Sequence, residues 1–251
     1  MTTFMNGFDS ISLSNGKYRK HYMLSLIILG LIIGFFITDF SKPNQIGFFI
    51  TAYCLGVPCV VTLGDRWPIT GNVLGLLSNV GEVLINFSFG NTGLAFAGFY
   101  YGGTHIIGLI KAANKNNRDE DNKYKISKLD KWWAWFVLFS GAVGLFILIH
   151  FAPQLGFVSD GTTLGDIRYW GNIIAYLLGV LSQFTMIMGI DISWWGWFSS
   201  NFFWFLLDLT SGNIWFAIRD VIYEVNCITS IRNWYESSRR EKNMINQEVS
   251  Y

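Results

Sequence analysis

Eight runs of apolar residues divide this chain of 251 residues. Each is close to 20 residues long, the length a helix needs for one crossing of a bilayer's hydrocarbon core. They lie at roughly 22–39, 45–64, 69–89, 93–112, 132–152, 168–188, 192–210 and 213–234. In lipid every backbone N–H and C=O must be satisfied within the protein, so such runs fold as α-helices. With 51% hydrophobic, 18% aromatic and 14% charged residues, the chain is too apolar for a soluble domain of this size. The expected fold is an all-α, polytopic transmembrane helical bundle. The first run follows a polar start without a small-residue cleavage pattern, so it reads as a retained helix rather than a signal peptide.

Charge placement orients the bundle, because cytoplasmic loops retain Lys and Arg. Eight crossings put both termini on one side. That side receives Lys17, Arg19 and Lys20, then Arg66, then the seven basic residues from Lys111 to Lys131, then Arg232, Arg239, Arg240 and Lys242, which is 15 of the chain's 18. Lys42 and Arg168 fall on the other side, and Arg219 lies within a span. Both termini are therefore expected in the cytoplasm. The loop between Lys111 and Lys131 also holds Asp119, Glu120, Asp121 and Asp130, so it reads as a solvated topogenic loop.

Several chemistries find no support. Cys54, Cys59 and Cys227 lack CxxC spacing and read as small packing residues. His21, His105 and His150 belong to three segments without i, i+4 pairing, so no metal is expected. No phosphate-binding loop motif occurs, no cofactor is expected, and a net charge of +1 gives no reason to invoke nucleic acid.

The chain also resembles itself. Ala52-Tyr53-Cys54-Leu55-Gly56-Val57 matches Ala175-Tyr176-Leu177-Leu178-Gly179-Val180, Ser78-Asn79 matches Ser200-Asn201, and Gly90-Asn91 matches Gly212-Asn213. The expected organisation is an N-terminal segment with an extra helix (1–44), a first three-helix repeat (45–112), a basic loop and linking helix (113–167), a second repeat (168–235) and a tail (236–251). One linking helix makes the two repeats parallel, related by an axis along the membrane normal.

In the second repeat, steps of three and four place Trp194, Trp197, Asn201, Trp204 and Asp208 on one helix face. Burying an amide and a carboxylate in lipid is costly, so this face looks inward to a cavity or a neighbouring helix. Its counterpart in the first repeat is Asn72, Gly75, Asn79, Glu82 and Asn86. Facing one another, the two stripes form an asymmetric pocket with indoles on one wall and amides or carboxylates on the other. Such a pocket suits a flat ring that carries hydroxyl groups, and a cationic ring gains a further cation–π attraction of about 0.5–2 kcal/mol.

The candidate binding residues are Trp197, Asn201 and Trp204 first, with Trp194, Trp195, Asn79 and Glu82. Trp194 and Trp195 open their helix near the interface, where tryptophan is enriched for other reasons, as it is at Trp132, Trp133 and Trp135. In the last span Tyr223 and Asn226 share a face with Arg219, and intramembrane ionisable groups are functional candidates by default. Arg219 reads as an ion-pair partner of Glu82, Asp208 or Asp220, because an unpaired guanidinium repels a cationic ligand. Asn172, Tyr176, Gly179 and Gln183 share a face of the helix that opens the second repeat. Tyr176 and Gln183 complete the set, with Gln183 the better hydrogen-bonding candidate.

With two three-helix repeats, a linking helix and the pattern Trp197-x-x-x-Asn201-x-x-Trp204, the chain over roughly residues 45–235 resembles the PnuC family of nicotinamide riboside transporters, relatives of the SWEET sugar carriers. The resemblance implies passive uptake of nicotinamide riboside, a ribosylated pyridinium, across a bacterial plasma membrane. It also implies a homotrimer and trapping of the solute by a separate kinase. Relatives carrying thiamine or riboflavin remain open, since both are ring-bearing vitamins. A membrane-embedded enzyme using Glu82, Asp220 and His105 is the competing class, and no spacing fixes an acidic pair for it.

Overall fold

A computed structural model describes residues 2–88 and 92–248. Among these residues the chain is helical, with two isolated bridges in place of sheet. A short helix α1 (Thr2–Ser12) precedes α2 (Arg19–Ile37), and α3 (Pro43–Gly64), α4 (Pro68–Ser88) and α5 (Thr92–Ala113) follow. Then come α6 (Lys131–Phe151), α7 (Thr163–Met188), α8 (Ser193–Ser211) and α9 (Ile214–Glu248). From α2 to α9 the helices lie on the eight apolar runs. By length and composition α2, α3, α4, α6 and α7 suffice to cross a membrane. Helices α5, α8 and α9, at 22, 19 and 35 residues, also have the length.

Local chemistry sets the boundaries. Pro43 and Pro68 stand at helix starts, where a missing N–H costs nothing. Asp130 caps α6 by accepting from the Trp133 amide at 2.8 Å, and Thr162 caps α7 by accepting from Gly165 at 3.0 Å. Gly189 and Gly212 end α7 and α8 with φ of 75° and 77°, a left-handed turn that favours glycine. Within α3, Phe49–Gly56 winds in wide π-turns just before Pro58. Proline has no N–H to close the ordinary bond to the carbonyl four residues back, and the wider winding accommodates that loss.

Helix α2 packs against α3 through a seam of small residues. A Cβ on Gly30 would press on Val57, and one on Gly34 would run into the Tyr53 ring. Helix α6 buries none of its residues within the single chain and meets α7 through Trp133, Phe136 and Phe184.

Arg19, Arg66, Lys123 and Arg232 gather at one end of the bundle, and what holds them there is ordered structure. Asp65 binds Arg19 at 2.9 Å and Lys123 at 2.9 Å, and accepts from Trp67 Nε1 at 2.7 Å. Arg66 bonds Asp119 at 3.0 Å and the Tyr124 carbonyl at 2.7 Å, while Asp9 of α1 pairs with Arg232 of α9.

The expectation of a solvated loop holds for Lys115, Glu120, Asp121, Lys125 and Lys128, which are exposed, but not for its middle. Tyr124 and Ile126 are buried in a core with Leu63, Met186, Trp194 and Trp234. Two of the loop's charges, Lys123 and Asp119, pair with Asp65 and Arg66, and this anchors Tyr124 and Ile126 as they plug the bundle. Helix α9 also runs on through what reads as a tail, for a total of about 52 Å, and its Asn233 and Ser238 bond Ser14 and Asp191.

Candidate functional site

A cavity of about 170 Å³ opens between α3, α4 and α5 on one side and α7, α8 and α9 on the other. All six helices contribute lining residues, and none of those residues comes from α1, α2 or α6. The volume is more than ten times what one water needs.

The stripe on α8 faces it completely: Trp194, Trp197, Asn201, Trp204 and Asp208 all line the cavity. Two contacts seat this helix against α7. Ser200 donates to the Ala175 carbonyl at 2.8 Å, and Gly196 lies so close to Ser182 that a Cβ would collide with it. Trp197 tilts onto Tyr101 of α5 with ring centroids 5.9 Å apart, and Trp204 leans on Tyr176 at 6.3 Å. Trp194 is 2% exposed, edge-on to Trp234, and its indole N–H has no hydrogen-bond partner. Asn201 donates to Cys227 Sγ at 3.5 Å.

The opposite wall carries Gly75, Asn79 and Glu82 of α4. Asn79 Nδ2 is held by the Gly75 carbonyl at 2.8 Å. Asn72 is fully buried behind this wall, and the side chain of Asn86 lies outside the described residues, as does the Gly90-Asn91 pair. Tyr223 lines the cavity from α9, with its hydroxyl against Gly56. Gln183 lines it from α7 and donates to Thr104 Oγ1 at 2.9 Å.

Three predicted residues sit elsewhere. Trp195 is 55% exposed and points away from the cavity, because one residue further along a helix rotates the side chain by about 100°. Tyr176 backs Trp204 from a second layer. Asn226 is buried against α3, where its Nδ2 donates to the Val60 carbonyl at 2.9 Å, so it clamps α9 rather than meeting the cavity.

The charges at the cavity are arranged around Arg219. Its guanidinium bonds Glu82 of α4 at 3.1 Å and Asp220 at 2.9 Å, and stacks over Phe216 at 4.2 Å and Tyr223 at 5.1 Å. Asp208 and Glu82 line the cavity with it. Sequence reasoning anticipated this pairing but left His105, named only for the enzyme alternative, and Tyr101 out of the binding set, and both reach the cavity from α5. Both lie on a mostly apolar run with no polar stripe at helical spacing to orient it, and only the partner helices reveal which way each points. Among the described residues no cluster of three or more His, Cys, Asp or Glu is placed to hold a metal ion.

Comparison with known proteins agrees with this architecture. Residues 46–236 match the family model described as nicotinamide mononucleotide transporter. The fold is similar to a solved structure reported as the crystal structure of the vitamin B3 transporter PnuC, with a TM-score of 0.69 and 18% identity over 88% of this chain and 93% of that one. No curated protein matches this sequence. The chain thus belongs to the nicotinamide mononucleotide transporter (PnuC) family, and it is a multi-pass membrane transporter rather than an enzyme.

Proposed function

We propose that this transporter carries nicotinamide riboside, a cationic ring-bearing nucleoside, by facilitated diffusion, with the solute bound between two three-helix repeats that alternate its access. The charge balance of the cavity carries the proposal. Arg219 is the one Lys or Arg among the described lining residues, and Glu82 and Asp220 already engage it. A phosphate brings about −1.5 to −2 charge at pH 7 and would meet Glu82 and Asp208 with no cation to spare. A pyridinium meets carboxylates that favour it and indoles that stack on it. The unphosphorylated riboside therefore fits this cavity better than the mononucleotide in the family's description.

The same proposal places both termini in the cytoplasm of a bacterial cell, with the plug of Tyr124 and Ile126 at the inner end, and takes the working form as a homotrimer. The test is uptake into proteoliposomes. Labelled nicotinamide riboside should equilibrate chemically unchanged, be indifferent to a proton ionophore, and be blocked poorly by the mononucleotide, thiamine or riboflavin. A modified product, uptake that collapses with the proton gradient, or equal competition by the mononucleotide would sink the reading.

A further inference from the structure

His105 is 4% exposed, lines the cavity from α5 and has no role in the site as described above. Its ring lies over Gly75 of α4, where a Cβ would run into Nε2 and Cε1. Nδ1 stands 2.9 Å from Asn72 Oδ1, and Nε2 stands 3.5 Å from Gln183 Nε2.

The tautomer follows from what surrounds Asn72. The Pro68 carbonyl lies 2.6 Å from one end of the Asn72 amide, and a carbonyl only accepts, so that end is the NH₂ group. The same NH₂ donates to Tyr124 Oη at 3.0 Å, and Tyr124 in turn donates to the Gly108 carbonyl at 3.2 Å. The end that faces His105 is therefore the oxygen, which can only accept. His105 Nδ1 must carry the proton, and in the neutral ring Nε2 is left as a bare acceptor. Gln183 gives one amide hydrogen to Thr104 Oγ1 at 2.9 Å, and its second lies at the long end of hydrogen-bond range from Nε2, at 3.5 Å, so Nε2 is only weakly satisfied.

We infer that His105 is a binding residue whose Nε2 accepts a hydrogen bond from a hydroxyl on the solute's sugar. Asn72 is its positioning residue and Tyr124 of the plug loop holds Asn72 in place. The inference deepens the proposed function and rests on it for the ligand. A sugar hydroxyl between Gln183 and His105 donates to Nε2 and accepts from the Gln183 amide, so both groups are satisfied at once. A solute lacking that hydroxyl leaves a buried acceptor unpaired, which a polar site penalises strongly. The two residues are neighbours where α5 of one three-helix unit meets α7 of the other, a seam that the Gln183–Thr104 bond already closes, so the hydroxyl would bind at the junction of the two units.

The chain has three histidines, so ¹⁵N-histidine labelling of the purified protein in detergent resolves the tautomer directly. His105 should show a protonated Nδ1 and a bare Nε2, and nicotinamide riboside should shift the Nε2 signal. Asn72→Leu should release that tautomer although Asn72 does not line the cavity. In binding, His105→Phe should weaken the riboside about 10- to 100-fold and barely change affinity for its 2′,3′-dideoxy analogue. His105→Gln carries an amide near the Nε2 position and should lose less than about tenfold, which keeps the test valid if the phenylalanine variant does not fold. A protonated Nε2 in the wild type, or equal losses for riboside and dideoxy analogue, overturns the inference. Wild-type protein that shows the bare Nε2 yet ignores the riboside overturns the transport reading instead.

Discussion

Arg219 and Glu82, from helices on opposite sides of the cavity, meet at 3.1 Å, and the same guanidinium holds Asp220 at 2.9 Å. One cation thus compensates carboxylates from two helices and pins α9 to α4 beside the ligand cavity. Replacing it by methionine keeps much of the volume but strands Asp220, which is 1% exposed, without its partner. Losing one member of a buried pair costs about 3–5 kcal/mol. Arg219→Met should therefore lower the thermal midpoint in detergent sharply, and an unchanged midpoint would show that the carboxylates are compensated elsewhere.

The α8 face should dominate binding. Asn201→Ala or Trp204→Ala is expected to weaken nicotinamide riboside by roughly 1–3 kcal/mol with the protein still folded. Trp195→Ala, one position off that face, should bind as the wild type does. Isothermal calorimetry on the three variants checks the ranking, and a Trp195 effect as large as that of Trp204 would contradict the placement of the cavity.

The Asp65 hub predicts a pH dependence. Burial alone would raise its carboxyl, but Arg19 and Lys123 outweigh burial and hold it below the ordinary range. A depressed folded-state value stabilises the protein above the unfolded value of about 3.9, and that contribution is lost as pH falls through the folded value. The gap in thermal midpoint between wild type and Asp65→Asn should be constant from pH 7 down to about 4 and narrow below it. A gap that narrows already between pH 7 and 5 would rule this mechanism out.

Tyr124 and Ile126 plug one end of the bundle, and Cys59 and Cys227 are buried in the same core. In a Cys54→Ser background the wild-type plug should protect both thiols from a membrane-impermeant maleimide. Tyr124→Ala combined with Ile126→Ala should expose them, with labelling at least tenfold faster if the open population rises by about 1.4 kcal/mol. Labelling at the wild-type rate would mean that other residues close this end.

The membrane architecture was legible because the bilayer's demands are local. Apolar length selects each crossing, and it is written in consecutive residues. The α8 face was legible for the same reason, since helical spacing alone puts Trp194, Trp197, Asn201, Trp204 and Asp208 together. That spacing also separates Trp195 from them, although its sequence neighbours suggested otherwise.

The tertiary structure decided everything that depends on a partner from another helix. His105 is one polar residue on a mostly apolar run, and it acquires a tautomer and a direction only from Asn72, 33 positions away, and Gln183, 78 away. The 111–131 loop reads as solvated from its charges, and many of them are exposed, yet Asp65 and Arg66 pair with Lys123 and Asp119 beside Tyr124 and Ile126, which are core. Composition and period along one segment state which faces are polar. Hydrogen bonds and ion pairs between distant segments determine what those faces meet, and no local pattern encodes that.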